Sequence, residues 1–245
     1  VKTVPTLLGV TPNPVVDHSV HLNQLHPGAV HRATKVDNWA GGKGVNVVRA
    51  AHTLGCQATN TGVLGGHIGQ MLADLVAIEG LAAEWYWLKS GETRITVLLT
   101  QDNADTTVIN EPGPTLLRKD WLGFLAHVRQ LAQCSDAVAF SGSLPPGAAP
   151  DEFCEMARWL AAPDRSVYLD ASGEVLQLAL ARPDGLCIKV NRAELAAGLG
   201  QPLAGTGDVV QAGKMLLTRG AALVVVTLGR EGAVMIAPTG CWQAD

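Results

Sequence analysis

Short runs of apolar, mostly β-branched residues alternate along the chain with longer segments whose apolar side chains recur every three or four positions. The short runs predict strands at 6–10, 58–63, 95–100, 137–140, 167–170, 187–190 and 222–227. The longer segments predict helices at 44–54, 68–79, 118–133, 151–161, 174–181, 192–199 and 209–218. Several strands are apolar at every position, as in Ala222-Leu223-Val224-Val225-Val226. Strands buried on both faces have this look, and a parallel sheet sandwiched between helices buries both faces. The predicted fold class is therefore α/β: a doubly wound, mostly parallel sheet flanked by helices.

Two stretches break the alternation. Residues 13–40 are polar, histidine-rich and extended in character. Residues 91–112 read as a hairpin, with a polar turn at Gln101-Asp102-Asn103-Ala104-Asp105. The two stretches are expected to pair as a small β-lid over the main sheet. With no linker or repeat in sight, the chain is expected to form a single domain over residues 1–245.

Composition narrows the partners. Of 245 residues, 47% are hydrophobic and 16% charged, which excludes a disordered chain. The net charge of −4 provides no global field for nucleic acid or an anionic membrane, so neither is expected as a partner, and any anion site must be local. The five cysteines are scattered, without a C-x-x-C pair, and read as buried thiols in a reducing, cytoplasmic setting. No apolar run reaches the roughly 18 residues that span a bilayer.

Candidate chemistry collects at predicted strand ends and helix starts. Gly41-Gly42-Lys43-Gly44-Val45-Asn46 opens the first helix. It is either an ordinary entry turn or a place where a ligand meets free backbone N–H groups with help from Lys43 and Asn46. Thr11-Pro12-Asn13-Pro14-Val15-Val16-Asp17 follows the first strand, and a carboxylate such as Asp17 there can accept hydrogen bonds from a vicinal diol. Arg32 and Arg94 lie on the two lid stretches and, with Lys43, would form a local cationic pocket; arginine forks suit phosphate oxygens. Ser141-Gly142-Ser143 places hydroxyls at another strand end, without the G-x-S-x-G pattern of a serine hydrolase. Lys189-Val190-Asn191-Arg192-Ala193-Glu194 joins a strand to a helix, and Asn191 with Glu194 is also the pattern of a plain capping box. Thr227-Leu228-Gly229-Arg230-Glu231-Gly232 is either a nucleotide-facing turn or a simple hairpin. His18, His21, His26 and His31 admit a metal site on spacing, but lack supporting cysteines or paired carboxylates. Asp208, in Gly205-Thr206-Gly207-Asp208, is expected to be an N-cap.

In order, the segments 11–17, 28–32, 41–46, 93–96, 110–114, 141–147, 170–173, 189–194 and 227–232 resemble the ribokinase-like (PfkB-type) carbohydrate kinases. The resemblance is to the branch that phosphorylates sugar phosphates, nearest the 1-phosphofructokinases and tagatose-6-phosphate kinases. It implies ATP and Mg²⁺ as cofactors and a phosphorylated ketohexose as substrate, with fructose 1-phosphate ahead of tagatose 6-phosphate or fructose 6-phosphate. It implies that Asp17, Gly41, Gly42 and Asn46 hold sugar hydroxyls, and that Arg32, Lys43, Arg94 and Ser141 hold the phosphate already on the sugar. Lys189, Thr227, Gly229 and Gly232 would line the nucleotide site, with Asn191 and Glu194 organising magnesium through water. It also implies a homodimer formed through the lid. The family's Gly-Ala-Gly-Asp segment, with its catalytic aspartate, is expected beyond Asp245, so the domain is expected to be C-terminally incomplete. A catalytically inactive sugar-phosphate-binding protein is the expectation if that segment is truly missing.

Overall fold

The computed structural model describes residues 4–102 and 106–244. The chain runs β1 (Thr6–Thr11), β2 (Val15–Leu22), β3 (Lys35–Gly41), α1 (Lys43–Thr53), β4 (Gln57–Leu64), α2 (Gly66–Ile78), β5 (Ala82–Ala83), β6 (Tyr86–Trp87), β7 (Arg94–Gln101) and β8 (Thr107–Asn110). It continues through α3 (Arg118–Leu131), β9 (Ala137–Ser141), α4 (Pro150–Leu160), β10 (Ser166–Asp170), α5 (Gly173–Ala181), β11 (Leu186–Asn191), α6 (Arg192–Leu199), α7 (Thr206–Thr218), β12 (Leu223–Thr227), β13 (Ala233–Ala237) and β14 (Gly240–Ala244).

The main sheet has the order β14-β13-β12-β11-β10-β9-β1-β4-β5, with β6 also paired to β4. From β12 to β4 every pairing is parallel, whereas β13 and β14 return antiparallel. The predicted α/β architecture is therefore present, with an antiparallel edge added. That edge was hard to foresee because Thr227–Gly232 is a tight connection, with one 3₁₀ turn at Gly229–Glu231, rather than a helical crossover.

Helices cover the two faces unequally. Leu8, Val10, Val138, Phe140, Val167 and Leu169 point into one large core beneath α3–α7, centred on Trp121, Phe124 and Phe153. The Phe140 and Phe153 rings meet edge to face at 5.0 Å. On the other face α1 packs on β1, β4 and β9, close enough that a Cβ on Gly9 would lie 2.3 Å from Val48. A smaller cluster of Val16, Ala40, Val45, Leu64, Leu72 and Val76 seats α2 against the lid.

The lid is a separate four-stranded sheet of order β3-β2-β7-β8. β2 pairs with β7 in parallel over its whole length, from Val15–Arg94 to Leu22–Gln101. The two irregular stretches thus pair as expected. Asn103, Ala104 and Asp105 of the predicted turn lie outside the described residues.

Two local readings need correction. The residue at the cap of α7 is Gly205, and Asp208 sits one turn inside the helix. Its Oδ2 reaches back to accept from the N–H groups of Ala204 (2.9 Å) and Gly205 (3.3 Å). An acidic side chain at the third helical position can do this as half of a capping box. The cysteines are free thiols, but only Cys154 and Cys187 are buried; Cys134 and Cys241 are exposed and Cys56 is intermediate. Cysteine's usual burial does not hold at a helix exit and an edge strand.

Candidate functional site

In the sheet, the chain runs from β1 toward β4 on one side and from β9 toward β12 on the other. Strand order reverses at β1, and crevices in open α/β sheets form at the carboxyl ends beside such a reversal. Thr11, Ser141, Asp170, Asn191 and Thr227 all lie at these carboxyl ends.

A cleft of about 740 Å³ opens there, lined by Thr11, Gly42, Lys43, Arg94, Glu111 and Gly142, among others. Lys43 from the α1 entry and Arg94 from the lid therefore share one cavity. α1 starts as it does because Gly42 takes φ +114°, a conformation that strains any residue with a Cβ. Gly44 packs on Thr11, where a Cβ would lie 2.2 Å from the hydroxyl oxygen. Gly41 serves Asp17 in the same way: a Cβ would lie 2.2 Å from its Oδ2, so the carboxylate rests on bare backbone. Burial pushes the Asp17 carboxyl above its ordinary range, against the pull of Arg94 and Arg49. Burial also pulls the Arg94 guanidinium down while Asp17 and Glu111 push it up, and it stays cationic. Arg94 donates from Nε to the Asn13 carbonyl (3.2 Å) and from an NH group to the Glu111 carbonyl (3.3 Å).

A second, more apolar cavity of about 610 Å³ adjoins the first and is lined by Asn46, Ser141, Tyr168, Asp170 and Lys189, with Lys43 common to both. Asp170 stands at the border. Its Oδ1 accepts from Lys43 Nζ at 2.9 Å and its Oδ2 from Lys189 Nζ at 2.8 Å. One carboxylate thus neutralises part of a two-lysine charge and orders both side chains. Asn46 accepts from Arg49, which also pairs with Glu79 and donates to the Ala40 carbonyl (2.7 Å). The sequence reading missed Arg49 as the brace of α1. Asp170, the strand-end acid before Ala171-Ser172-Gly173, was seen only as part of a motif.

Toward β12, a groove of about 350 Å³ is lined by Asn191, Arg192, Thr227, Leu228, Gly229 and Glu231. Gly229 and Gly232 both have positive φ there. The capping box is real: Asn191 N–H donates to Glu194 Oε2 (2.9 Å) and Glu194 N–H to Asn191 Oδ1 (2.8 Å). The box occupies one Glu194 oxygen. Its other oxygen has no protein donor among the described residues, which suits a hard cation held through water.

Not every predicted residue gathers here. Arg32 is exposed on the β2–β3 connection and lines neither cavity. The histidines serve lid structure: His18 bonds Asn38 at 2.7 Å, and His26 and His31 stack with centroids 6.1 Å apart. No described helix is long and apolar enough to cross a membrane.

A lidded α/β sheet with cations and bare backbone around a cleft at its strand ends defines a phosphate-handling enzyme of the carbohydrate-kinase class. The chain belongs to the pfkB family of carbohydrate kinases, whose family model matches residues 10–245. It is similar to a 1-phosphofructokinase of Xanthomonas campestris pv. campestris, 36% identical over 231 residues, which are 93% of this chain and 72% of that protein. A 1-phosphofructokinase of Haloferax volcanii is 34% identical over 94% of this chain and 73% of its own length. Phosphofructokinase-2 from Escherichia coli, crystallised with fructose-6-phosphate, superposes with a TM-score of 0.90 at 28% identity, covering 99% of this chain and 80% of that one.

Proposed function

We propose that this sugar-phosphate kinase transfers the γ-phosphoryl group of ATP to a phosphorylated ketohexose, with fructose 1-phosphate the preferred acceptor and fructose 1,6-bisphosphate the product. The observation that carries the reading is the shared cleft of Arg94 and Lys43 under the lid. Relatives named 1-phosphofructokinase support the choice of sugar.

In this reading Arg94 and Lys43 receive the phosphate already on the sugar, and Asp17 with the Gly41–Gly42 backbone orients its hydroxyls. Arg32 joins them only if the β2–β3 connection folds inward. Ser141, Asn46 and Lys189 line the second cavity, beside the first. Lys189, Thr227, Gly229 and Gly232 flank the nucleotide, with Asn191 and Glu194 ordering the hydrated Mg²⁺. Bound Mg²⁺ neutralises the phosphate charge. A sugar hydroxyl oxygen bonds to the γ-phosphorus as the bond to ADP breaks, and the hydroxyl proton passes to water. Positioning and charge neutralisation carry most of such catalysis. Exposed Val36, Trp39, Val108 and Ile109 on the lid suit a homodimer formed through it.

A coupled ADP-release assay across fructose 1-phosphate, tagatose 6-phosphate and fructose 6-phosphate tests the proposal. Fructose 1-phosphate is expected to give the highest kcat/KM. Preference for another of the three would move the substrate, and binding without turnover would make the protein a sugar-phosphate binder.

A further inference from the structure

Asn13 lies in the β1–β2 turn, between Thr11 and Asp17, and is only 5% exposed. Its side chain donates from Nδ2 to the Pro112 carbonyl at 3.0 Å. Its Oδ1 is buried without a hydrogen-bond partner among the described residues. Leaving such a group unpaired is costly, so what this side chain contributes is its N–H, which acts together with the Asn13 backbone carbonyl.

They close a ring. Asn13 O accepts from Arg94 Nε, and Arg94 also donates to Glu111 O, the residue before Pro112. The Glu111 carboxylate in turn accepts from Ile95 N at 2.9 Å. Three separate segments are thereby tied together: the cleft floor, the start of β7, and the exit from β8. Gly113, at φ +90°, lies so close under the Asn13 amide that a Cβ would sit 2.3 Å from Oδ1.

We infer that Asn13 is a positioning residue for the sugar-phosphate site, locking the lid's exit strand to the cleft floor so that the Arg94 guanidinium is held pointing into the cleft. Asn13 acts through Arg94 and Pro112 rather than on the reacting atoms. The inference rests on the proposed reading of the cleft as a sugar-phosphate site. A free arginine samples many rotamers, and ordering it on binding costs affinity. An arginine already bonded to two carbonyls avoids that loss.

The test is calorimetric titration of fructose 1-phosphate and, separately, of a non-hydrolysable ATP analogue into the wild type, Asn13→Asp, Gly113→Ala and Arg94→Ala. Asn13→Asp keeps size but removes the donor to Pro112; Gly113→Ala pushes on the same amide from the other side. Both are expected to weaken fructose 1-phosphate by about 5- to 20-fold while the ATP analogue stays within 2-fold. A residue that merely stabilised the fold would lower both affinities together, or only the melting temperature. If Arg94→Ala loses the sugar phosphate and neither of the other variants does, the role of Asn13 is overturned and the site reading stands. If Arg94→Ala, like the wild type, binds fructose 1-phosphate equally well, or if neither binds it, the site reading itself fails and takes this role with it.

Discussion

Asp17 shows how a side chain proposed to hold sugar hydroxyls can be at odds with stability. Its carboxylate is held half-buried against the Gly41 backbone, and burial outweighs the help from Arg94 and Arg49. A carboxyl whose folded pKa lies above its unfolded one costs stability above the folded pKa, and the cost disappears as pH falls through that value. Asp17→Asn should therefore melt higher than the wild type at neutral pH, with the gap closing on acidification. The same variant should lose fructose 1-phosphate affinity on the order of 100-fold, the worth of two charge-assisted hydrogen bonds. Thermal melts across pH, with titration at pH 7, check both halves. Asp170 makes the complementary case: Asp170→Asn removes the shared partner of Lys43 and Lys189, so the two ammonium groups repel and separate. kcat is expected to fall about 10-fold or more with a smaller change in either KM, as steady-state kinetics would show.

Among the elements, the entries to α1 and α6 both follow closely on a strand and differ in physics. α1 begins without a side-chain cap, behind a glycine at positive φ, and leaves backbone facing the cleft. Gly44→Ala would drive a Cβ into the buried Thr11 hydroxyl, so a loss of about 1–3 kcal/mol and of ligand binding together is expected in denaturant melts and titrations. At α6 the box closes on itself. Glu194→Gln keeps an acceptor for the Asn191 N–H, so stability should stay within about 0.5 kcal/mol while the magnesium dependence of nucleotide binding shifts; equal magnesium dependence would leave Glu194 a cap alone. The glycine-lysine helix entry and the Asn191–Glu194 box were legible because their chemistry sits on local spacing. The partner of each was not: that Lys43 would share Asp170 with Lys189 depends on strand order, and the Asn13 ring depends on a lid pairing between residues about eighty positions apart in sequence.

Over the whole molecule, the alternating pattern revealed the parallel sheet because β-branched runs and helical periods are both local. It missed β13 and β14, whose return depends on the short connection between Thr227 and Ala233. At this scale the central claim is that flap and helix entry together build a receptor for the phosphate of a sugar. Its most direct test is calorimetric comparison of fructose 1-phosphate with fructose on the same protein. The phosphorylated sugar is expected to bind at least about 10-fold more tightly, with that advantage gone when Arg94 and Lys43 are both alanine. Equal affinity for the two sugars, or an advantage that survives loss of both cations, would contradict it.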